Sequence, residues 1–164
     1  MLEPGRGPSC VQTTLHPNLQ PGAVGENITL DAWDDSTVCI GDVLQIGTPR
    51  IQISAPRTHC ENQSRFIERS DWVQRAIREL RTGMYTRVLE PGTLQAGDRV
   101  TLDARPNPGL TIRELNSCHY HACDAALAER FLVTEGLMEW WKQRLRDKTD
   151  EPTDGNGSST EKAG

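Results

Sequence analysis

A two-residue turn signal, Gly-Asp, occurs twice in this chain, and a run of β-branched or aliphatic residues follows each copy. Gly41-Asp42 precedes Val43-Leu44-Gln45-Ile46, and Gly97-Asp98 precedes Val100-Thr101-Leu102. Glycine adopts the positive φ of a tight turn without strain, and aspartate can bond to the backbone beside it. The pattern therefore predicts short strands joined by tight turns.

Other short segments of the same region alternate apolar and polar residues. They include Ile28-Thr29-Leu30, Ile51-Gln52-Ile53-Ser54 and the stretch from Tyr85 to Leu89. Such alternation predicts strands with one buried face, and many short strands with regular turns are typical of a barrel or a sandwich. One helix is predicted to interrupt them, with Ser70 as its N-cap and Gly83 after its end.

After Pro108 the pattern becomes helical. Thr111 and Glu114 have the spacing of a capping box, and Asp124 can cap a second helix. A third helix is expected over residues 135–148. Of its two adjacent tryptophans, Trp140 and Trp141, one is expected to pack and the other to cover the helix surface. Three short helices cannot form a large core alone, so they are expected to pack on one another or against the β part.

Composition divides the 164 residues into four parts. Residues 1–20 show no clear period and are predicted to be irregular, 21–105 form the β domain, and 111–148 form a three-helix module. Residues 150–164 are expected to be a disordered tail, because they carry too little apolar surface to offset the entropy of ordering.

The net charge of −5 argues against nucleic acid or an anionic membrane as a partner. No apolar run approaches the roughly 18 residues of a membrane-spanning helix. The five cysteines are odd in number and lack the spacing of a small domain held together by disulfides. Reduced thiols and a cytoplasmic location are therefore expected.

Cys60 is the main candidate for chemistry. It follows a predicted strand and the residues Arg57 and His59, in the electropositive setting that favours a thiolate able to bind a soft metal or attack an electrophile. A half-buried packing role is equally compatible with these residues. A His59–Cys60 dyad is disfavoured, because adjacent side chains of an extended segment point in opposite directions.

Four other candidates remain open from the residues alone. Arg57 and Arg87 suit an anionic ligand or, equally, surface ion pairs. Asn27 could bond to a heterocycle, although an Asx turn is the simpler account. The cluster Cys118, His119, His121 and Cys123 has the right residue types for zinc, but one short segment cannot place four ligands around one ion, which favours packing or exposure.

Several motifs in order resemble those of the MOSC domain (molybdenum cofactor sulfurase C-terminal domain), closest to its YiiM-like branch. The motifs are Gly25-Glu26-Asn27-Ile28, Cys39-Ile40-Gly41-Asp42, Gln52 to Cys60, and Gly83 to Gly92 followed by Ala96-Gly97-Asp98. The stretch from Thr111 to Arg146 resembles the three-helix module of that branch. The resemblance implies a mainly β fold: a MOSC-type β-barrel, incomplete at the N-terminus, with one internal helix, followed by a small three-helix subdomain.

The resemblance also implies binding of the molybdenum cofactor, a pyranopterin dithiolene with a phosphate. Cys60 matches the cysteine expected to ligate molybdenum or to handle sulfur. Arg57 and Thr58 belong to the same motif, Asn27 would lie by the pterin, and Tyr85 and Arg87 match a later motif that contacts or supports the cofactor site. Relatives reduce N-hydroxylated compounds such as hydroxylaminopurines.

The family carries an N-terminal stretch with a His-Gly-Gly motif that has no counterpart here, so the N-terminal part of the domain is expected to be missing. Three hypotheses follow. The first is an oxidoreductase that acts on a small-molecule substrate and takes electrons from a donor protein, since the chain shows no flavin, haem or iron–sulfur motif. The others are a sulfur or cofactor carrier that uses Cys60, and a truncated non-catalytic paralogue.

Overall fold

The computed structural model describes residues 9–13, 20–31, 33–58 and 61–150. Within these ranges the chain forms six strands and five helices. The strands are β1 (Ser9–Thr13), β2 (Ile28–Leu30), β3 (Val43–Ile46), β4 (Arg50–Pro56), β5 (Met84–Glu90) and β6 (Val100–Ala104). The helices are α1 (Glu61–Phe66), α2 (Trp72–Glu79), α3 (Ile112–Tyr120), α4 (Ala125–Leu132) and α5 (Glu139–Asp150).

All six strands belong to one sheet with the order β2-β1-β5-β4-β3-β6. β1 and β2 are parallel, and the other neighbours are antiparallel. Alternation along β4 places Ile51 and Ile53 in the core, while Arg50 and Gln52 are partly exposed. In the described part of the chain, β2 and β6 are the two edges and do not pair with each other. The predicted mainly β fold is therefore confirmed, and the sheet formed by the described residues is not closed into a barrel.

The first strand was not predicted. Residues 1–20 are expected to be irregular, yet Ser9–Thr13 forms β1 between β2 and β5. Val11 pairs with Ile28 on one side and with Met84 on the other. The segment lacks a strong alternating pattern, and its strand conformation depends on partners distant in sequence. The division of the chain into domains stays a prediction, and residues 151–164 lie outside the described ranges.

The two Gly-Asp turns are confirmed. The glycines adopt φ values of 86° at Gly41 and 93° at Gly97. In each turn an aspartate Oδ2 accepts a hydrogen bond from the backbone N–H three residues earlier, at 2.9 Å for Asp42 and 2.8 Å for Asp98. Asp42 is also fully buried and accepts two bonds from the Arg105 guanidinium, at 3.0 and 2.7 Å. The Asp42 carboxylate thus also links the turn before β3 to the segment after β6.

The region between β4 and β5 contains two helices, α1 and α2, instead of the single predicted one. The N-cap of α2 is Asp71 and not Ser70, and its side chain makes no capping bond. The C-cap is Leu80 in the left-handed conformation, three residues before Gly83. Its side chain is buried, and burial offsets the strain of a positive φ at a non-glycine residue.

The three C-terminal helices follow the prediction more closely. Thr111 and Glu114 form both bonds of the capping box, and Asp124 accepts from the Leu127 N–H at 3.1 Å. The third helix, α5, begins at Glu139 and not near residue 135. The preceding residues bond to the sheet instead, because the Met138 N–H donates to the Ser54 carbonyl at 3.0 Å.

The helices and the sheet share one core. Ile51 and Ile53 of β4 cluster with Leu115 of α3, Phe131 of α4 and Trp141 of α5, and all five are fully buried. The helical module therefore packs against the β part as well as on itself. No helix in the described ranges is both long and apolar enough to cross a membrane.

The expectation of reduced thiols is wrong for one pair, because Cys118 and Cys123 form a disulfide. From the sequence, both residues were expected to pack or to be exposed. α3 ends at Tyr120, and the chain turns at His121 with φ −125° and ψ −141°, which brings the two Cα atoms to 4.1 Å. Cys39 is free and buried. In the described part of the chain, no three His, Cys, Asp or Glu residues cluster as a metal site.

A buried carboxylate joins the loop before Val38 to the start of β5. Asp35 is fully buried, and its Oδ2 accepts hydrogen bonds from the backbone N–H groups of Thr82 at 2.8 Å and Gly83 at 3.0 Å. Burial raises the pKa of Asp35 to about 6, against the lowering effect of these hydrogen bonds and of Arg81. The side chain is therefore ionised at pH 7 only at a cost to folding.

Asp35 predicts a pH-dependent contribution to stability. Its pKa is higher in the folded protein than in the unfolded chain, so the folded state binds more protons between about pH 4 and 6. The favourable contribution is complete below pH 4 and is lost as pH rises through 6, a change of about 3 kcal/mol. We expect Asp35→Asn to gain stability relative to the wild type over this interval, measured by urea unfolding at pH 4 to 8. A difference between the two proteins that stays constant with pH would contradict the shift.

Candidate functional site

The candidate site lies where β4 leaves the sheet. Pro56, the last residue of β4, pairs with Met84, the first of β5, and the Arg57 N–H continues the contact by donating to the Gly83 carbonyl at 2.9 Å. The chain is described as far as Thr58 and again from residue 61. His59 and Cys60 lie outside the described residues. Cys60, the predicted molybdenum ligand, thus belongs to the segment that directly follows the end of β4.

Arg57 points into the protein and is not a surface side chain. It is 8% exposed, and its Nη2 donates to the Val24 carbonyl at 2.6 Å. Its guanidinium therefore holds the loop before β2 against the end of β4. A side chain at Gly25 would lie 3.7 Å from the same nitrogen, an ordinary contact distance. The alternative of an exposed ion pair, left open by the sequence, does not describe Arg57.

The loop that Arg57 holds is organised by Glu26. The Glu26 carboxylate accepts from the backbone N–H groups of Gly22 at 2.7 Å and Val24 at 3.1 Å, and from the Thr29 hydroxyl at 3.0 Å. Sequence reasoning did not single out Glu26, although it stands in the Gly-Glu-Asn motif. Its role is to shape the loop that presents Val24 to Arg57.

Thr58 and Tyr85 come together at the strand end. Their hydroxyl oxygens are 3.5 Å apart, and Tyr85 pairs with Ala55 across β4 and β5. The Tyr85 ring also meets the Trp140 ring edge to face, with centroids 6.5 Å apart. Two of the predicted site residues are therefore neighbours in space, and one of them, Thr58, directly follows Arg57 in the chain.

Arg87 has a different set of contacts. Its Nε donates to the Ser54 hydroxyl at 3.2 Å and its Nη2 to the Gly136 carbonyl at 2.9 Å. These bonds tie β5 and β4 to the segment before α5. They give Arg87 a supporting role in the packing of the helical module, and cofactor contact by this residue stays a prediction.

Asn27 borders a separate cavity of about 840 Å³. The cavity lies between the sheet edges, with Leu30 of β2 and Val100 of β6 in its wall, and neither Thr58 nor Tyr85 lines it. Glu26, Asp31 and Asp98 also line it. Asn27 therefore does not line a common cavity with Thr58 and Tyr85.

Sequence reasoning did not assign four residues of the helical module to the site. Trp140 contacts the Tyr85 ring, and Arg144, His119 and Tyr120 follow from it through successive contacts. The Arg144 guanidinium lies 4.9 Å from the Trp140 ring centroid, and its Nη1 is 3.4 Å from the His119 Nε2. Burial, and then Arg144 and Lys148, lower the pKa of His119. Burial raises the pKa of Tyr120. One sequence signal could have pointed to these residues: Trp140 and Arg144 are four positions apart and so lie on the same face of a helix.

The residues at the strand end fit an anionic, oxygen-rich cofactor. Arg57 provides a buried positive charge, and Thr58 and Tyr85 provide two hydroxyl donors beside the segment that carries Cys60. The cavity at Asn27 fits such a group poorly, because its three acidic side chains would repel a phosphate. The structure therefore favours the strand end for the cofactor expected from the sequence.

The chain is similar to several known sequences and solved structures. It is 32% identical over 133 residues to the uncharacterized protein YflK of Bacillus subtilis, covering 80% of this chain and 60% of that protein. It is 29% identical over 135 residues to protein YiiM of Escherichia coli, covering 79% of this chain and 60% of that protein. A protein named "Reductase" from Gibberella moniliformis is 35% identical over 130 residues, which are 76% of this chain and 23% of that protein. The chain thus spans less than two thirds of the length of these curated relatives.

Solved structures agree with the fold. The crystal structure of YiiM from Geobacillus stearothermophilus matches with a TM-score of 0.80 and 26% identity, over 85% of this chain and 77% of that one. YiiM from Escherichia coli matches with a TM-score of 0.75 and 24% identity, over 85% and 76% of the two chains. The family model described as MOSC domain matches residues 9–101, which is more than half of the chain. The chain belongs to the MOSC domain family.

Proposed function

We propose that this protein binds the molybdenum cofactor through Cys60 and reduces N-hydroxylated compounds. The observation that carries the proposal is the strand end of a MOSC domain, where buried Arg57 and the hydroxyls of Thr58 and Tyr85 adjoin the segment that carries Cys60. A thiolate is a good ligand for a soft metal, and a neighbouring cation favours the thiolate form. The name of the Gibberella relative, "Reductase", supports an oxidoreductase.

In the reaction, the N–O bond of the substrate breaks, and two electrons and two protons convert the N-hydroxyl compound into the amine and water. The bound cofactor would supply the two-electron exchange. Arg57 would hold an anionic group of the cofactor while it keeps the Val24 loop in place. The hydroxyls of Thr58 and Tyr85 would donate hydrogen bonds toward the reacting oxygen, which would favour its departure as water.

The electrons must come from outside the chain. The sequence has no motif for a flavin, haem or iron–sulfur cluster, so we propose an electron-donor protein as the physiological partner. We also propose that the reaction takes place in the cytoplasm.

The proposal is tested by metal analysis and by turnover of the purified chain. We expect about one molybdenum and one pterin per chain, as for one thiolate ligand in one domain, together with reduction of 6-hydroxylaminopurine by reduced methyl viologen. Protein produced with tungstate in place of molybdate is the control and should show no turnover. Molybdenum without turnover, with a persulfide on Cys60, would favour a carrier. Folded protein with neither metal nor pterin would refute the proposal.

A further inference from the structure

We propose that Trp140, with Tyr85 and Arg144, binds the flat heteroaromatic ring of the substrate and so selects aromatic substrates over acyclic ones. The inference rests on the proposed function for the reaction, but the ring-binding surface is argued from the geometry of the helical module. We call these three residues the aromatic surface.

The aromatic surface is held firmly at the strand end. Trp141 is fully buried, and its Nε1 donates to the carbonyl of Pro56, the last residue of β4, at 3.0 Å. The neighbouring Trp140 ring lies with its centroid 5.2 Å from that of Trp141. One buried residue thereby fixes the position of an exposed one relative to the cofactor-binding strand, as a rigid binding site requires.

Trp140 remains 36% exposed although the rings of Tyr85 and Trp141 and the Arg144 guanidinium contact it. The Tyr85 ring meets its edge, and the Tyr85 hydroxyl reaches the Thr58 hydroxyl at 3.5 Å. Tyr85 therefore connects the Trp140 indole to Thr58, which precedes Cys60 in the chain. A ring that stacks on Trp140 would lie beside the proposed site of reduction and not on a distant face.

The charges of the surface favour an electron-rich, uncharged ring. The Arg144 guanidinium lies over the Trp140 ring at 4.9 Å and can also stack on a planar ligand. Burial lowers the pKa of His119 and raises that of Tyr120, which favours the neutral form of both rings at pH 7. Arg144, with a second cation, Lys148, bonded to the His119 carbonyl, favours a flat neutral heterocycle and repels a cationic one.

The test uses adenine as a planar probe and cyclohexylamine as a non-aromatic cationic probe, with binding measured by isothermal titration calorimetry. We expect the wild type to bind adenine and not cyclohexylamine. Trp140→Ala should weaken adenine binding about 10-fold or more, the usual loss for one stacking partner, and Trp140→Phe should restore most of it. Val133→Ala is the control, because Val133 is an exposed apolar residue of the same module, 80% exposed, outside the ring contacts.

The two proposals can fail separately, because adenine has no N–O bond and its binding does not require turnover. Unchanged adenine affinity in a folded Trp140→Ala variant would overturn the aromatic surface, even if the wild type reduces N-hydroxylated purines. Failure of the wild type to bind adenine would also overturn it. Loss of adenine binding in the variant, with no turnover by the wild type, would support the surface and refute the reductase function.

In the active protein, Trp140→Ala should raise KM for 6-hydroxylaminopurine and leave turnover of acetohydroxamic acid, an acyclic N-hydroxyl compound, unchanged. Equal losses on both substrates would assign Trp140 a structural role and overturn the proposed selectivity.

Discussion

Replacing Cys60 by alanine is expected to remove bound molybdenum and to lower the rate of N–O reduction by at least about 100-fold. Changes even to groups that only support a metal ligand typically cost about 10- to 100-fold in affinity or activity, so loss of the ligand itself should cost more. Alanine cannot donate an electron pair to the metal, and the remaining donors at the strand end, Arg57, Thr58 and Tyr85, are not thiolates. The measurements are molybdenum content by mass spectrometry and initial rates with 6-hydroxylaminopurine.

Cys39→Ala is the matched control for the Cys60 variant. Cys39 is a free, buried cysteine, and the contact with the Asp42 turn involves its backbone N–H and not its thiol. This variant should keep its molybdenum and its activity. If Cys60→Ala retains turnover at a level near that of the control, Cys60 is not the ligand and the proposed chemistry fails.

Replacing Trp141 by alanine is expected to destabilise the protein by about 3–5 kcal/mol, the usual cost of truncating a buried tryptophan. Trp141 is fully buried in the core shared by sheet and helices. The variant also leaves the Pro56 carbonyl without the indole hydrogen bond. Because Pro56 ends β4, we expect cofactor content to fall together with stability. Urea unfolding at constant pH measures the free-energy change.

Two further variants separate the contributions of Trp141. Trp141→Phe keeps most of the ring volume but removes the donor to Pro56, and should cost about 1–3 kcal/mol, the range for a buried carbonyl left unsatisfied. Trp140→Ala, at the adjacent and exposed position, should cost less than about 1 kcal/mol. Similar losses at positions 140 and 141 would show that the module is not anchored through Trp141.

Short-range signals predicted the parts of the fold that depend on nearby residues. Both Gly-Asp turns formed as expected, because glycine conformation and the aspartate hydrogen bond involve residues within three positions. The helix caps at Thr111 and Asp124 were correct for the same reason. The motif from Gln52 to Cys60 also pointed to the strand end as the site.

Contacts between distant residues account for what the sequence did not show. β1 exists because Val11 pairs with Ile28 and Met84, which lie 17 and 73 positions away. The Cys118–Cys123 disulfide depends on where α3 ends, and the left-handed Leu80 depends on burial of its side chain. Propensity and periodicity carry little information on such partners.

The sequence by itself therefore determined a mainly β chain with a helical module, the family, and the segment around Cys60 as the candidate centre. Only the tertiary structure decided which groups stand beside that segment. The Arg57 side chain points inward to the Val24 carbonyl, and Arg87 bonds to the segment before the last helix. Trp140 meets Tyr85 across 55 positions of chain, and Arg144 lies over the Trp140 ring. The reason is physical: local preferences set turns and caps, whereas a binding surface is made when packing of the core brings separate segments together.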